Sequence, residues 1–60
     1  RVAIAARDLP EGHVLQANDL VFRMSGRPGG FARLEELQGR KLLRAVAQHM
    51  PIVDGDVHAR

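Results

Sequence analysis

The chain is 60 residues long, 45% hydrophobic and 27% charged, with nine Lys and Arg against seven Asp and Glu for a net charge of +2. A chain of this size makes a single domain, 1–60, that buries only about 60% of the surface its unfolded form exposes and has no room for a deep catalytic cavity. Cysteine is absent, which removes disulfides and thiolate zinc sites. No apolar run approaches the roughly 20 residues of a membrane span, and the two aromatics, Phe22 and Phe31, leave a nucleic-acid reader little to stack bases on.

Residues Val2 to Ala6 form a short apolar run between Arg1 and Arg7-Asp8, which predicts a buried strand with Val2 and Ile4 facing inward. Pro10-Glu11-Gly12 predicts a reversal, with Pro at the second turn position and Gly free to take positive φ. Val14-Leu15 is a second short strand, Gln16 to Asp19 a polar turn, and Leu20 to Met24 a third strand with Leu20 and Phe22 on one side. Ser25 to Gly30 (Ser-Gly-Arg-Pro-Gly-Gly) is the clearest loop. Ala32 to Gln38 places Leu34 and Leu37 at helical spacing and Gly39 where a left-handed cap ends a helix of one or two turns. Pro51 puts the following short strand at an edge, and Val53 to Asp56 is again a polar turn.

The organising feature is a repeat. Arg7 to Leu20 aligns without gaps on Arg44 to Val57 at an offset of 37, pairing Leu9 with Val46, Leu15 with Ile52, Asp19 with Asp56 and Leu20 with Val57. Each copy has an apolar face too small to be stable alone, so the two pack against each other around one core, with Leu15 and Ile52 in equivalent buried positions.

Chemistry is sparse. His13, His49 and His58 share no ligand-like spacing and read as exposed turn residues. Asp54-Gly55-Asp56 lacks the remaining ligands of a calcium loop. Ser25 is the sole hydroxyl-bearing side chain, with no activating His or acid spaced to it. The Gly-rich loop lacks the Gly-Lys-Ser/Thr ending of a phosphate loop. The domain alone is not catalytic, and since it opens at Arg1 without a signal peptide, the expectation is a segment of a longer cytoplasmic protein.

The text Ala5-Ala6-Arg7-Asp8-Leu9-Pro10-Glu11-Gly12, then Asp19-Leu20, Arg27-Pro28-Gly29-Gly30-Phe31, Leu37-Gln38-Gly39-Arg40, Arg44-Ala45-Val46, Pro51-Ile52 and Asp56-Val57 resembles the SAF family. This is the small β-clip domain shared by type III antifreeze proteins and the C-terminal domain of sialic acid synthases. The resemblance implies a mostly β fold with a pseudo-two-fold internal repeat, short strands and one or two short helical turns. The middle block looks like the sialic acid synthase branch, although its loop before the helix is one residue shorter than that branch's pattern.

That branch implies an accessory substrate-capping domain of a transferase that condenses phosphoenolpyruvate with an N-acetylated amino sugar, N-acetylmannosamine or a relative. No cofactor is implied for this domain; a divalent metal of manganese type belongs to the parent enzyme's TIM barrel. The partners implied are that barrel, from the other subunit of a domain-swapped homodimer, and the amino sugar, with no nucleic acid and no membrane. One Arg of the loop reaches the sugar: Arg27 matches by motif and Arg23 by distance from Gly39, and Arg27 is preferred because Pro28 and the glycines suit close approach. The alternative is a stand-alone SAF binding module of the pilus or flagellar assembly type, or an ice-binding one. Arg7, Asp8, Gly12, His13 and Gln16 occupy the positions of the flat ice-binding surface, and their charge breaks that match.

Overall fold

The structure, a computed structural model, describes residues 1–24 and 29–59. Strand β1 (Val2–Ala5) pairs antiparallel with β2 (Leu20–Arg23), placing Val2 opposite Arg23, Ala3 opposite Phe22, Ile4 opposite Val21 and Ala5 opposite Leu20. The other edge of β1 takes residues 49–52. Ala5 N donates to Met50 O at 3.0 Å, His49 N to Ala5 O at 2.9 Å and Ile52 N to Ala3 O at 3.1 Å, around a lone bridge between Ile4 and Pro51. These bonds use the N–H of residues 49 and 52, so the proline ring sits where no donor is needed.

The inward face of β1 is Ala3 and Ala5, at 0% and 1% exposure, whereas Val2 and Ile4 are half-buried on the outer face. This reverses the expectation that Val2 and Ile4 point inward. The core beneath the strand is already filled by Leu9, Leu15, Leu20, Leu37, Leu42 and Ile52. A strand flanked on both edges and laid across those side chains has room for methyl groups there and little more.

The two copies exchange hydrogen bonds about an approximate two-fold axis. Leu9 N donates to Val46 O at 2.8 Å and Val46 N to Leu9 O at 2.9 Å, on the axis itself. Gly12 N to Leu42 O (2.9 Å) is matched by His49 N to Ala5 O (2.9 Å), and Leu15 N to Arg40 O (2.9 Å) by Ile52 N to Ala3 O (3.1 Å). The predicted strand at Val14-Leu15 is a single bridge from Val14 to Lys41, equivalent to the Ile4–Pro51 bridge. Each polar turn is a 3-10 turn, Ala17–Asp19 and Asp54–Asp56, again 37 residues apart. Leu15 and Ile52 are both fully buried.

The short helix predicted over Ala32 to Gln38 is a 3-10 turn, Leu34–Glu36, whose last bonds run from Leu37 N and Gln38 N to Leu34 O. It stops at Gly39, which takes φ +83° and turns its N–H to Leu15 O at 2.8 Å. That backbone sign favours glycine over other residues. Leu37 is fully buried and anchors this turn in the shared core.

Candidate functional site

Of the two arginines singled out by sequence, Arg23 is the exposed last residue of β2 and Arg27 lies outside the described residues, as do Ser25, Gly26 and Pro28. Both anchors of the intervening loop are described. At the near anchor, Arg23 sits opposite Val2, and the following Met24 is 87% exposed. At the far anchor, Gly30 bridges to Val53, and Phe31 O accepts Ala3 N at 2.8 Å. A Cβ at Gly30 would stand 2.6 Å from Val2 Cγ1, so only glycine lets the returning chain lie this close to β1. Val2 thus touches both roots of the loop.

Behind the far anchor, Arg40 is the fastening. Its guanidinium carbon lies 5.3 Å from the Phe31 ring centroid, its Nε donates to His58 O at 2.9 Å, and its Nη1 donates to Glu36 O at 3.1 Å. One side chain therefore holds the loop's exit, the 3-10 turn Leu34–Glu36 and the C-terminal segment together. At the near anchor, Arg1 stacks over Phe22 at 5.5 Å.

A second cluster lies in the first copy. Asp19 is buried, and its carboxylate accepts hydrogen bonds from Arg7 Nη1, from His13 Nε2 at 2.7 Å and from Gln16 N at 2.8 Å. Burial alone pushes the Asp19 carboxyl up. The hydrogen bonds from His13, the Gln16 backbone and Arg7, with the His13 charge, outweigh it and hold the carboxyl below its ordinary value. A carboxylate so held stays ionised, and it staples the turn by accepting from Arg7, His13 and the Gln16 backbone. In the second copy Asp56 is paired with Arg44 Nε at 2.8 Å and accepts Val53 N at 2.9 Å, and Met50 stands where His13 stands in the first.

This cluster corrects one expectation: His13 is partly buried and paired with Asp19, whereas His49 and His58 are exposed. The sequence held a signal for it. Arg7 and Arg44 stand 37 residues apart, as Asp19 and Asp56 do, and a charge pair repeated at the period of the fold marks a contact and not two solvated surfaces.

Between the copies, Asp8, Leu9, Pro10 and their equivalents Ala45, Val46 and Ala47 line an open depression of about 500 Å³ on the pseudo-two-fold axis. Its one ionisable wall is Asp8, whose Oδ1 accepts Gln48 N at 2.8 Å. Among the described residues no group of His, Asp and Glu is arranged to hold a metal ion, and no helix is long and apolar enough to cross a membrane.

A family model described as SAF domain matches residues 1–58, nearly the whole chain. Comparison with curated proteins and with solved structures returns no match.

Proposed function

We propose a binding role for this chain, and the premise is membership: the chain belongs to the SAF domain family. The family supports a binding module of the carbohydrate or assembly type. Within it we read the chain as the substrate-capping accessory domain of a sialic acid synthase-type enzyme. The observation that carries this reading is the fastening of the Arg-bearing loop. Gly30 is pressed on Val2, Phe31 is bonded to Ala3 and stacked under Arg40, and Arg23 is exposed at the opposite root. Rigid roots spare a loop the ordering cost of reaching into a neighbour's site.

In this reading Arg27, or Arg23 one strand end away, donates to a hydroxyl or amide of an N-acetylated amino sugar held by a partner subunit's barrel. The barrel supplies the divalent metal of manganese type and the phosphoenolpyruvate site. One or two charge-assisted hydrogen bonds contribute about 1.5 to 3 kcal/mol each. Arg27→Ala in the full-length enzyme is therefore expected to lower kcat/KM for the amino sugar by roughly ten to several hundred fold, with KM for phosphoenolpyruvate nearly unchanged. Arg23→Ala is the companion variant; a loss confined to it assigns the contact to Arg23, and no effect from either overturns the capping role.

Ice binding is the reading that the first copy opposes. Its turn carries the Arg7–Asp19–His13 cluster, and a flat contact with a water lattice would strip hydration from Arg7 and Asp8 at a cost of several kcal/mol. No thermal hysteresis is expected at millimolar protein; measurable hysteresis would move the chain to that branch.

A further inference from the structure

The pseudo-two-fold axis gives the molecule two equivalent outer faces, which differ in chemistry. On the first, β1 contributes Val2 and Ile4, β2 contributes Val21 and Arg23, and the adjoining segment contributes Pro51 and Val53, as the register and the bridges Ile4–Pro51 and Gly30–Val53 place them. Shifting each by 37 residues gives the second face: Gly39 for Val2, Lys41 for Ile4, His58 for Val21, Val14 for Pro51 and Gln16 for Val53. The fold thus accepts Lys, His and Gln at three positions where the first face has Ile, Val and Val. The apolar character of the first face is not required by the packing beneath it.

That face reaches both described roots of the loop, because Val2 is flanked by Arg23 and by Gly30. Among the described residues, the one ionised side chain that the register places on it is Arg23, with no carboxylate. A second copy of the chain docked face to face would set one Arg23 patch against another with nothing to neutralise it.

We propose that the face formed by Val2, Ile4, Val21, Pro51 and Val53 is the seat on which this domain docks against a folded protein surface that is apolar and carries a carboxylate facing Arg23. This rests on the capping reading, since a loop that contributes an arginine to another domain's site needs its own domain seated beside that site. Apolar surface that is half-buried at Val2, Ile4, Pro51 and Val53, exposed at Val21 and flanked by one positive charge suits such a contact, with the aliphatic centre excluding water and the guanidinium fixing the register.

The test uses diazirine-derived carbene labelling of the intact protein that carries this chain, with the second face as internal control. Val21 is 36% exposed in this domain, and Val14, on the opposite face, is 45% exposed. A seated face is expected to lower labelling of Val21 about fivefold or more below Val14, and equal labelling of the two overturns the proposal. Ile4→Lys, which copies the residue tolerated at position 41, is expected to bring Val21 up to the level of Val14. Should that variant fail to fold, Val21→His, copying position 58, is read by labelling at Ile4 instead. Arg23→Glu is expected to unmask Val21 as well; if it does not, the carboxylate-bearing partner is wrong. Protection of Val21 that Arg23→Glu abolishes fits the carboxylate-bearing partner, whether that surface belongs to the same or the partner subunit, whereas protection lost with dilution and unaffected by Arg23→Glu identifies a second copy of this face and overturns the stated chemistry. The amino-sugar kinetics of Arg27→Ala are read separately. A protected face with unaffected kinetics removes the capping role and leaves the seat, and the reverse result removes the seat and leaves the cap.

Discussion

The first and second copies solve the same turn with different residues. At the tip of the first, Gly12 takes φ +84°; at the equivalent tip of the second, His49 takes φ +72°. One residue further on, the first copy has His13 reaching the buried Asp19, while the second has Met50, half exposed, and leaves Asp56 to Arg44. The backbone bonds are the same in both. The comparison therefore separates what the fold demands, an Asp closing a 3-10 turn and an Arg beside it, from what it merely permits at the tip.

The sharpest way to break the comparison is in the core, where the copies should be indistinguishable. Leu15→Ala and Ile52→Ala each remove a fully buried aliphatic side chain and are expected to cost about 2 to 5 kcal/mol. The whole domain holds only about 3 to 9 kcal/mol by the usual stability per residue. Both variants should lose a large share of that stability, read as equally lowered Tm values by circular dichroism. A cost at one position several times that at the other would mean that the two-fold is geometric and not energetic.

Next come the carboxylates. Asp19→Asn and Asp56→Asn each weaken charge-assisted bonds to a backbone N–H and an arginine, at about 1 to 3 kcal/mol. Asp19 should lie at the upper end because His13 is also its donor. Its pH dependence gives an independent reading. The folded carboxyl is held below its ordinary value of 3.8, so the unfolded chain takes up a proton first as pH falls. The stabilisation is present above pH 3.8 and disappears as pH drops through the lower folded value. Urea melts from pH 7 down to pH 2.5 should show that loss, and His13→Met, which rebuilds the first copy as the second, lets the folded carboxyl rise toward 3.8 and should make the acid limb shallower and end at higher pH, with its onset unchanged. An unchanged acid limb in His13→Met would show that the His13 contact adds nothing.

The smallest effect belongs to the tip. A left-handed backbone costs a residue with a Cβ of order 1 kcal/mol, partly offset by the extra freedom glycine has in the unfolded chain. His49→Gly is expected to stabilise by about 0.5 kcal/mol, a rise of roughly 2 to 4 °C in Tm for a domain of this size. The converse, Gly12→His, should lower Tm by a similar amount. Space is not the obstacle there, since a Cβ at Gly12 would meet nothing nearer than Lys41 Cε at 3.7 Å.

Much of this architecture is legible in the sequence, because its signals are local or periodic. Gly12 and Gly39 mark left-handed turns, the offset of 37 aligns the buried Leu15 and Ile52, and Leu20 and Phe22 alternate correctly into the core. What escapes is set by partners distant in sequence. The inward face of β1 cannot be read from Val-Ala-Ile-Ala, since hydrophobicity favours Val2 and Ile4 while the space left by the opposing leucines admits only Ala3 and Ala5. Nor does the chain announce that Arg40 ties Phe31, Glu36 and His58 together, because each contact joins a different element. Of the two loop arginines, sequence places Arg23 on a strand end, where the structure has it, and Arg27 lies outside the described residues.

The crossed hydrogen bonds of the two copies have a consequence for how the chain acquires its structure. The backbone N–H groups of Ala5, Leu9 and Gly12 find their acceptors between residues 42 and 50, so while the second copy is still unmade the first has only the short β1–β2 pair and its own polar turn to hold it. A lone pair of four-residue strands is marginal in water, so during synthesis the first half gains lasting structure only once most of the second has left the ribosome, and closure of these long loops then sets the folding rate. Two separate peptides cut between the copies should each be disordered and should assemble on mixing, because the pairing that holds the domain together is already intermolecular in character.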